Sequence, residues 1–440
     1  MSSFTKFVVL VTVVVLMPVF GFAQTVSLQT SVSTPWLLAG EAQTAFLKIS
    51  LTGFPLESST ERTPVNVAVV LDRSGSMDGE KIVKAREAAK MAVNLLESRD
   101  IASIVTYSDT VSILVPATKV SENRYFYDRI DTIYADGSTA LFAGVSKGAE
   151  ELRKFLDIER VNRVILLSDG LANVGPDSPA ALGDLGASLR RSGISVTTIG
   201  LGLGYNEDLM VRLAERSDGN HAFVENSRDL ARIFEYEFGD ILSVVAQDVE
   251  IEIQCSPGIR PIRVLGREAD IIGSNVYTSI NQLYSNQEKY ILVEVEVDSH
   301  RPGQEISMAD VLLRYNNMVS QKTDRLSGDA KIFFTANEKE VEQNVDQEAM
   351  VSAVLQLATE KSEEAMRLRD QGRVEEAQAT MEESSEYLLQ AADEFDSDEL
   401  AGYGESLAEG AEAMEDEEEW KETRKQMRDD QHENKSQQSY

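Results

Sequence analysis

Sulfur ligands, imidazoles and basic charge are scarce in this chain. A single cysteine, Cys255, stands among 440 residues, so an intramolecular disulfide cannot form. Cys255 falls on the apolar side of an alternating strand and reads as a buried, inert thiol. Histidine occurs three times, at His221, His300 and His432, and no His-Glu-x-x-His run exists, which excludes the usual helical zinc-protease arrangement. There is no Gly-Lys-Ser/Thr phosphate loop. The run from Gly200 to Gly204 puts Tyr205 where a dinucleotide loop needs its third glycine, and it reads as a tight turn leaving a strand. No glycine-flanked nucleophilic serine has a histidine base to serve it, so the chain is expected not to be an enzyme. Lys and Arg number 42 against 74 Asp and Glu, a formal net charge of −32. Such a surface repels phosphate backbones, and nucleic acid is not an expected partner.

Long apolar runs are also absent, with one exception at the start. Phe7 to Phe20 is apolar over about 14 residues, short of the ~20 that cross a bilayer as a helix. Lys6 precedes the run and Gly21-Phe22-Ala23 follows it, the pattern of an export signal cleaved before Gln24. Residues 1–23 are therefore expected to direct the chain to a periplasm, a cell surface or the extracellular space. An uncleaved segment would instead anchor it to the membrane. Export without disulfides suits a bacterial envelope better than an animal secretory route.

The rest of the chain changes pattern several times. In 24–58, Ala45, Leu47, Ile49 and Leu51 alternate with polar neighbours, the period of a strand. In 59–245, strand-like runs alternate with helical ones. Val65 to Leu71 is nearly continuous in apolar residues, as a strand buried on both faces must be, and Ile82, Ala85, Ala89, Ala92, Val93 and Leu96 follow at helical spacing. This predicts an α/β domain with a doubly wound, mostly parallel sheet. Clean alternation returns in 246–336, at Val249, Ile251, Ile253 and Cys255 and again at Ile291, Val293, Val295 and Val297, predicting an antiparallel β-sandwich-like domain with one wet face. The strands of 24–58 are too few to stand alone, so they are expected to join it, with the α/β domain inserted between. Residues 337–430 are acidic and helical, with apolar stripes on both sides of Gly372 that predict an αα-hairpin. The polar end, 431–440, is expected to be disordered.

Three short segments carry chemistry. Asp72-Arg73-Ser74-Gly75-Ser76 follows the first strand of the α/β domain, Asp136-Gly137-Ser138-Thr139 precedes a helix at Phe142, and Ser168-Asp169-Gly170 follows another strand. All fall on loops at the carboxyl edge of the predicted sheet, where open parallel sheets bind ligands. Hydroxyls from Ser74, Ser76 and Thr139 with carboxylates from Asp72 and Asp169 suit a small hard cation that prefers oxygen ligands. The plainer alternatives are that Ser76 or Asp78 caps the next helix, that Thr139 caps the one after it, and that Asp169-Gly170 is an ordinary turn. Asp109 and Asp136 read as solvated loop residues.

These residues resemble the metal-ion-dependent adhesion site of von Willebrand factor A domains, the pattern Asp-x-Ser-x-Ser…Thr…Asp. Asp72, Ser74, Ser76, Thr139 and Asp169 each match, over a region running from Val65 to Leu242. The resemblance implies a bound Mg²⁺ (or Mn²⁺ or Ca²⁺) whose coordination is completed by an Asp or Glu carboxylate of a partner protein, hence an exported adhesion or protein-binding module. It also implies movement of the last domain helix, Arg228–Leu242, on ligation. The flanking arrangement is similar to that of bacterial envelope A-domain proteins and inter-α-inhibitor heavy chains. Two other readings stand beside it: a structural envelope scaffold with a non-essential metal site, and a metal-dependent hydrolase lacking a visible general base. The acidic run Asp416 to Glu419 is a candidate to occupy the metal from within the chain.

Overall fold

The computed structural model describes residues 24–56 and 62–438; residues 1–23, expected to be an export signal, lie outside the described residues. The chain begins with three strands, β1 (Val26–Val32), β2 (Trp36–Leu38) and β3 (Gln43–Gly53). It then enters the α/β domain: β4 (Val65–Asp72), α1 (Glu80–Asn94), β5 (Ile101–Tyr107), β6 (Val111–Lys119), α2 (Asn123–Ile130), α3 (Leu141–Arg153), β7 (Val161–Ser168), α4 (Pro179–Arg190), β8 (Ser195–Leu201), α5 (Glu207–Ser217), β9 (His221–Val224) and α6 (Leu230–Leu242).

The α/β sheet has the order β6-β5-β4-β7-β8-β9, parallel except for the edge strand β6. All eight residues of β4 are buried because helices cover both faces. Val65, Val67, Val69 and Leu71 join a core with α1, α2 and α6, while Ala68 and Val70 join the opposite core with α3, α4 and α5. The chain leaves β4 toward β5 on one side and resumes with β7 on the other. The carboxyl ends of β4 and β7 therefore flank the switch point of the sheet, where the outgoing loops diverge and leave a crevice.

The chain then returns to the sandwich through β10 (Val244–Cys255), β11 (Ile259–Leu265), β12 (Asp270–Ile272), β13 (Asn275–Tyr284), β14 (Glu288–Val297), β15 (Glu305–Asn317) and β16 (Lys322–Thr335). One sheet is β1-β3-β14-β11 and the other is β12-β13-β10-β15-β16-β2. Their facing residues, among them Leu47, Ile49, Val293, Val295, Ile251, Ile253, Val311 and Ile332, form one core. The α/β domain is thus an insertion between β3 and β10. Arg163, fully buried at the start of β7, fastens the two domains. Its guanidinium donates to Thr197 Oγ1 at 2.8 Å, Glu237 Oε1 at 3.0 Å and the Tyr284 hydroxyl at 2.5 Å, and also to Gln282.

Five helices follow: α7 (Glu338–Gln343), α8 (Gln347–Asp370), α9 (Val374–Phe395), α10 (Asp398–Ala413) and α11 (Glu417–Ser436). The turn between α8 and α9 passes through Gly372 at φ +79°, a left-handed conformation that glycine adopts without a Cβ penalty. Two expectations are corrected. The outer face of the β1-β3-β14-β11 sheet is not wholly wet, because α8 lies on it: Ala353 packs against Leu265 and Leu292, and Glu348 pairs with the buried Lys48 at 2.6 Å. The expected disordered end is instead helical through Ser436, with Gln431 and His432 only 2% and 3% exposed. Its polar residues meet charges presented by other domains. Lys435 reaches Glu215 at 2.6 Å and Glu363 at 3.0 Å, and Asp429 accepts from the Phe223 amide at 3.2 Å on the open edge of β9.

Candidate functional site

Asp72 ends β4 and is wholly buried. One carboxylate oxygen accepts from the Ser74 amide at 2.8 Å, which curls the following loop back over the strand end, and the other accepts from the Ser168 hydroxyl at 2.8 Å. Burial pushes the Asp72 carboxyl up to about 6, against the pull of these hydrogen bonds. Ser168, at the end of β7, supplies a contact that no spacing in the sequence announces.

The curled loop brings the Ser74 and Ser76 hydroxyls to 3.1 Å from one another. Ser76 also donates to Asp169 Oδ1 at 2.7 Å, joining the first loop to the third. The second loop is laced to the first by backbone bonds, Gly75 N–H to Gly137 O at 2.9 Å and Asp136 N–H to Arg73 O at 2.7 Å. Gly170 locates the centre of the arrangement. A β-carbon on it would lie 3.1 Å from Ser76 Oγ, 3.2 Å from Thr139 Oγ1 and 3.7 Å from Ser74 Oγ. Three hydroxyls from two loops thus face a single point on the third, with the Asp169 carboxylate against one of them.

None of these hydroxyls is spent on a helix cap. Gly79 occupies the N-cap of α1 and Ala140 that of α3, both without a side-chain cap bond. Thr139 is instead fixed through its backbone. Its amide donates to Asn173 Oδ1 at 2.8 Å, and its carbonyl accepts from the Asn173 and Val174 amides at 3.2 and 3.3 Å. Asp109 and Asp136 are exposed, and Asp109 accepts from the Ser138 amide at 3.0 Å, so it shapes the second loop from outside. The structure therefore brings together all five residues singled out from the sequence. Reading by motif gave Ser168 no role of its own and missed Asn173 and Lys81, whose ammonium stands 2.6 Å from Asp169 Oδ2. Each comes into place only by folding, and each is an ordinary residue type for its local context.

The other sequence candidates lie apart in role. His221 is buried, with Nδ1 2.8 Å from Thr198 Oγ1, and Cys255 is buried in the sandwich. Asp416 caps α11 by accepting from the Glu418 and Glu419 amides, and Glu417 meets Arg369 at 3.2 Å. Among the described residues no group of three or more His, Cys, Asp or Glu could hold a metal, so a cation site here must draw on hydroxyls.

The model of the von Willebrand factor type A domain family matches residues 66–235. The uncharacterized protein YfbK of Escherichia coli (strain K12) is 29% identical over 238 residues, 53% of this chain and 40% of that protein. The uncharacterized protein sll0103 of Synechocystis sp. is 26% identical over 277 residues, 60% of this chain and 65% of that protein. This chain spans less than two thirds of either relative's length. Human inter-alpha-trypsin inhibitor heavy chain H3 is 28% identical over 189 residues, 40% of this chain and 20% of that protein. Among solved structures, a von Willebrand factor type A protein from Catenulispora acidiphila superposes with a TM-score of 0.70 at 15% identity, covering 89% of this chain and 91% of its own. The ArnB paralog VWA2 from Sulfolobus acidocaldarius does so with a TM-score of 0.61 at 21% identity, covering 92% of this chain and 98% of its own. At such identities the likeness concerns the fold, and it extends beyond the α/β domain. Sheet order, loop placement and the match over 66–235 agree: the chain carries a von Willebrand factor type A domain.

Proposed function

We propose that this chain is an exported protein-binding module that holds one divalent cation through Asp72, Ser74, Ser76, Thr139 and Asp169 and offers it to an acidic side chain of a partner protein. Domains of this family commonly hold a divalent metal, and a role in protein interaction or adhesion follows from the family. The observation that carries the finer reading is the convergence of three uncapped hydroxyls on Gly170 between two buried carboxylates. The donor set is all oxygen, as Mg²⁺ requires, and Mn²⁺ and Ca²⁺ are the nearest substitutes. Bound there, the ion would supply a Lewis-acidic position for an Asp or Glu carboxylate from outside.

The protein's own part is orientation. Ser168 and the Ser74 amide fix the Asp72 carboxylate, Asn173 fixes the Thr139 backbone, and Ser76 is the exposed rim of the cluster. None of the three loops carries a histidine, and the reading is binding without turnover. The pattern of residues 6–23 supports placement in a periplasm or at a cell surface.

The test is titration calorimetry with Mg²⁺ and Mn²⁺ on the wild type and on Asp72→Ala, followed by partner capture from envelope extract with and without EDTA. Metal binding lost in Asp72→Ala, with capture abolished by EDTA, supports the proposal. Capture that survives EDTA would instead favour a structural scaffold.

A further inference from the structure

Lys81 is the second residue of α1, the positive end of the helix dipole, where a cation is disfavoured unless something nearby compensates it. The compensation is Asp169. The Lys81 ammonium lies 2.6 Å from Asp169 Oδ2, while Oδ1 of the same carboxylate accepts from Ser76. Asp169 is fully buried and Lys81 is one-third exposed, so the pair sits at the mouth of the cluster. The loop after β8 roofs it: a β-carbon on Gly202 would stand 3.7 Å from the ammonium nitrogen. Among the described residues, Lys81 is the cation that touches a carboxylate of the five-residue cluster.

We propose that Lys81 is a counter-cation built into the site, which holds Asp169 in place before metal arrives and sets metal affinity below what the five oxygen ligands alone would give. This rests on the metal-binding reading above. With a divalent ion present, the charges of Asp72 and Asp169 are balanced, and the ammonium leaves the cluster with an excess of one positive charge. That excess weakens metal retention and favours an anionic ligand, the acidic side chain of a partner. A site tuned in this way loads at higher free metal and binds a carboxylate more readily once loaded.

The experiment compares full-length wild type with Lys81→Met, Lys81→Gln and Lys81→Arg. The readouts are Mn²⁺ calorimetry and the thermal midpoint with EDTA and with excess Mn²⁺. Removing a unit charge a few ångströms from a divalent ion in a near-aqueous setting should raise Mn²⁺ affinity roughly tenfold in Lys81→Met and Lys81→Gln, less at high salt. Lys81→Arg should match the wild type. In EDTA the midpoint of Lys81→Met should fall, since Asp169 is left buried without its cation, and Mn²⁺ should restore it by a larger shift than in the wild type. Lys81→Gln retains a hydrogen-bond donor for Asp169, so it separates charge from support. Wild-type binding with equal or weaker binding in both neutral variants overturns the role of Lys81 and leaves the metal reading standing. Failure of the wild type itself to bind Mn²⁺ overturns both.

Discussion

Glu207→Ala should release the C-terminal helix while leaving the α/β domain folded. Glu207 opens α5 and is 10% exposed; Lys425 of α11 is 3% exposed, with its ammonium 2.5 Å from Glu207 and 2.8 Å from the Tyr205 carbonyl. Arg424 makes a second contact with Glu207 and reaches Asp208 at 2.8 Å. Burial pulls Lys425 below the ordinary lysine range, so its charge already stands at a disadvantage that Glu207 offsets. Removing one partner of a buried pair costs about 3–5 kcal/mol, because the other charge stays behind. Few apolar groups oppose release: Trp420 and Met427 are the buried anchors of α11, at roughly 1.5–3 kcal/mol each. The cost is therefore comparable with the whole apolar hold, and local opening is the cheapest response. Amide hydrogen exchange over 417–436 should accelerate by about a hundredfold or more, with α6 as the unchanged reference, since ~1.4 kcal/mol corresponds to tenfold in an equilibrium. Glu207→Ala combined with Lys425→Met should recover much of the protection, as no charge then remains stranded at that point. Unchanged exchange in the single variant, or no recovery in the double, would refute the claim that charge complementarity docks this helix.

Four further outcomes follow from particular groups. Burial holds the His432 imidazole down at about 4 against an ordinary 6.5. Below pH 6.5 the unfolded chain takes up a proton that the folded chain refuses, so stability is full above pH 6.5 and falls by about 3 kcal/mol on acidification to pH 4. His432→Gln should flatten that slope in urea unfolding at pH 7.5 and 5. Burial holds the Asp429 carboxyl well above its ordinary 3.8, so folding loses stability as pH rises past that value. Asp429→Asn keeps an acceptor for the Phe223 amide and should raise the unfolding free energy measured in urea at pH 7 by about 1–3 kcal/mol. Gly170→Ala would put a methyl group 3.1–3.2 Å from the Ser76 and Thr139 hydroxyls, and calorimetry should show Mn²⁺ affinity cut at least about tenfold, with a thermal midpoint close to wild type. Arg163→Met should destabilise the protein by about 3–5 kcal/mol in denaturant, because it strands Glu237 where the two domains meet.

The site shows how far a motif reaches. Asp72 directly follows an apolar run, and Asp169 follows another after Ser168; the continuity of these runs marks them as central parallel strands, so the position of both carboxylates at one sheet edge could be read without coordinates. Thr139 was harder, since it lies before a helix and its place depends on bonds from Gly75 and Asn173. The alternative that these hydroxyls cap helices was also open in the sequence, and only the backbone, with Gly79 and Ala140 at the caps, decided against it. The end of the chain went the other way. Glu417 to Ser436 has the composition of a solvated segment, and it is ordered because Glu207, Asp208, Glu215 and the open edge of β9 supply partners about 200 residues earlier in the chain.

Local patterning alone determined the alternation of strands and helices and the insertion of the α/β domain, because burial on one or both faces of an element leaves its period in the chain, while the five oxygen-bearing residues were legible through their likeness to a motif. Tertiary structure alone decided the pairing of Lys81 with Asp169, the support of Asp72 by Ser168, the Arg163 fastening and the docking of α11. Those are contacts between polar groups far apart in sequence, and a charge carries no periodic signature of the partner that will bury it.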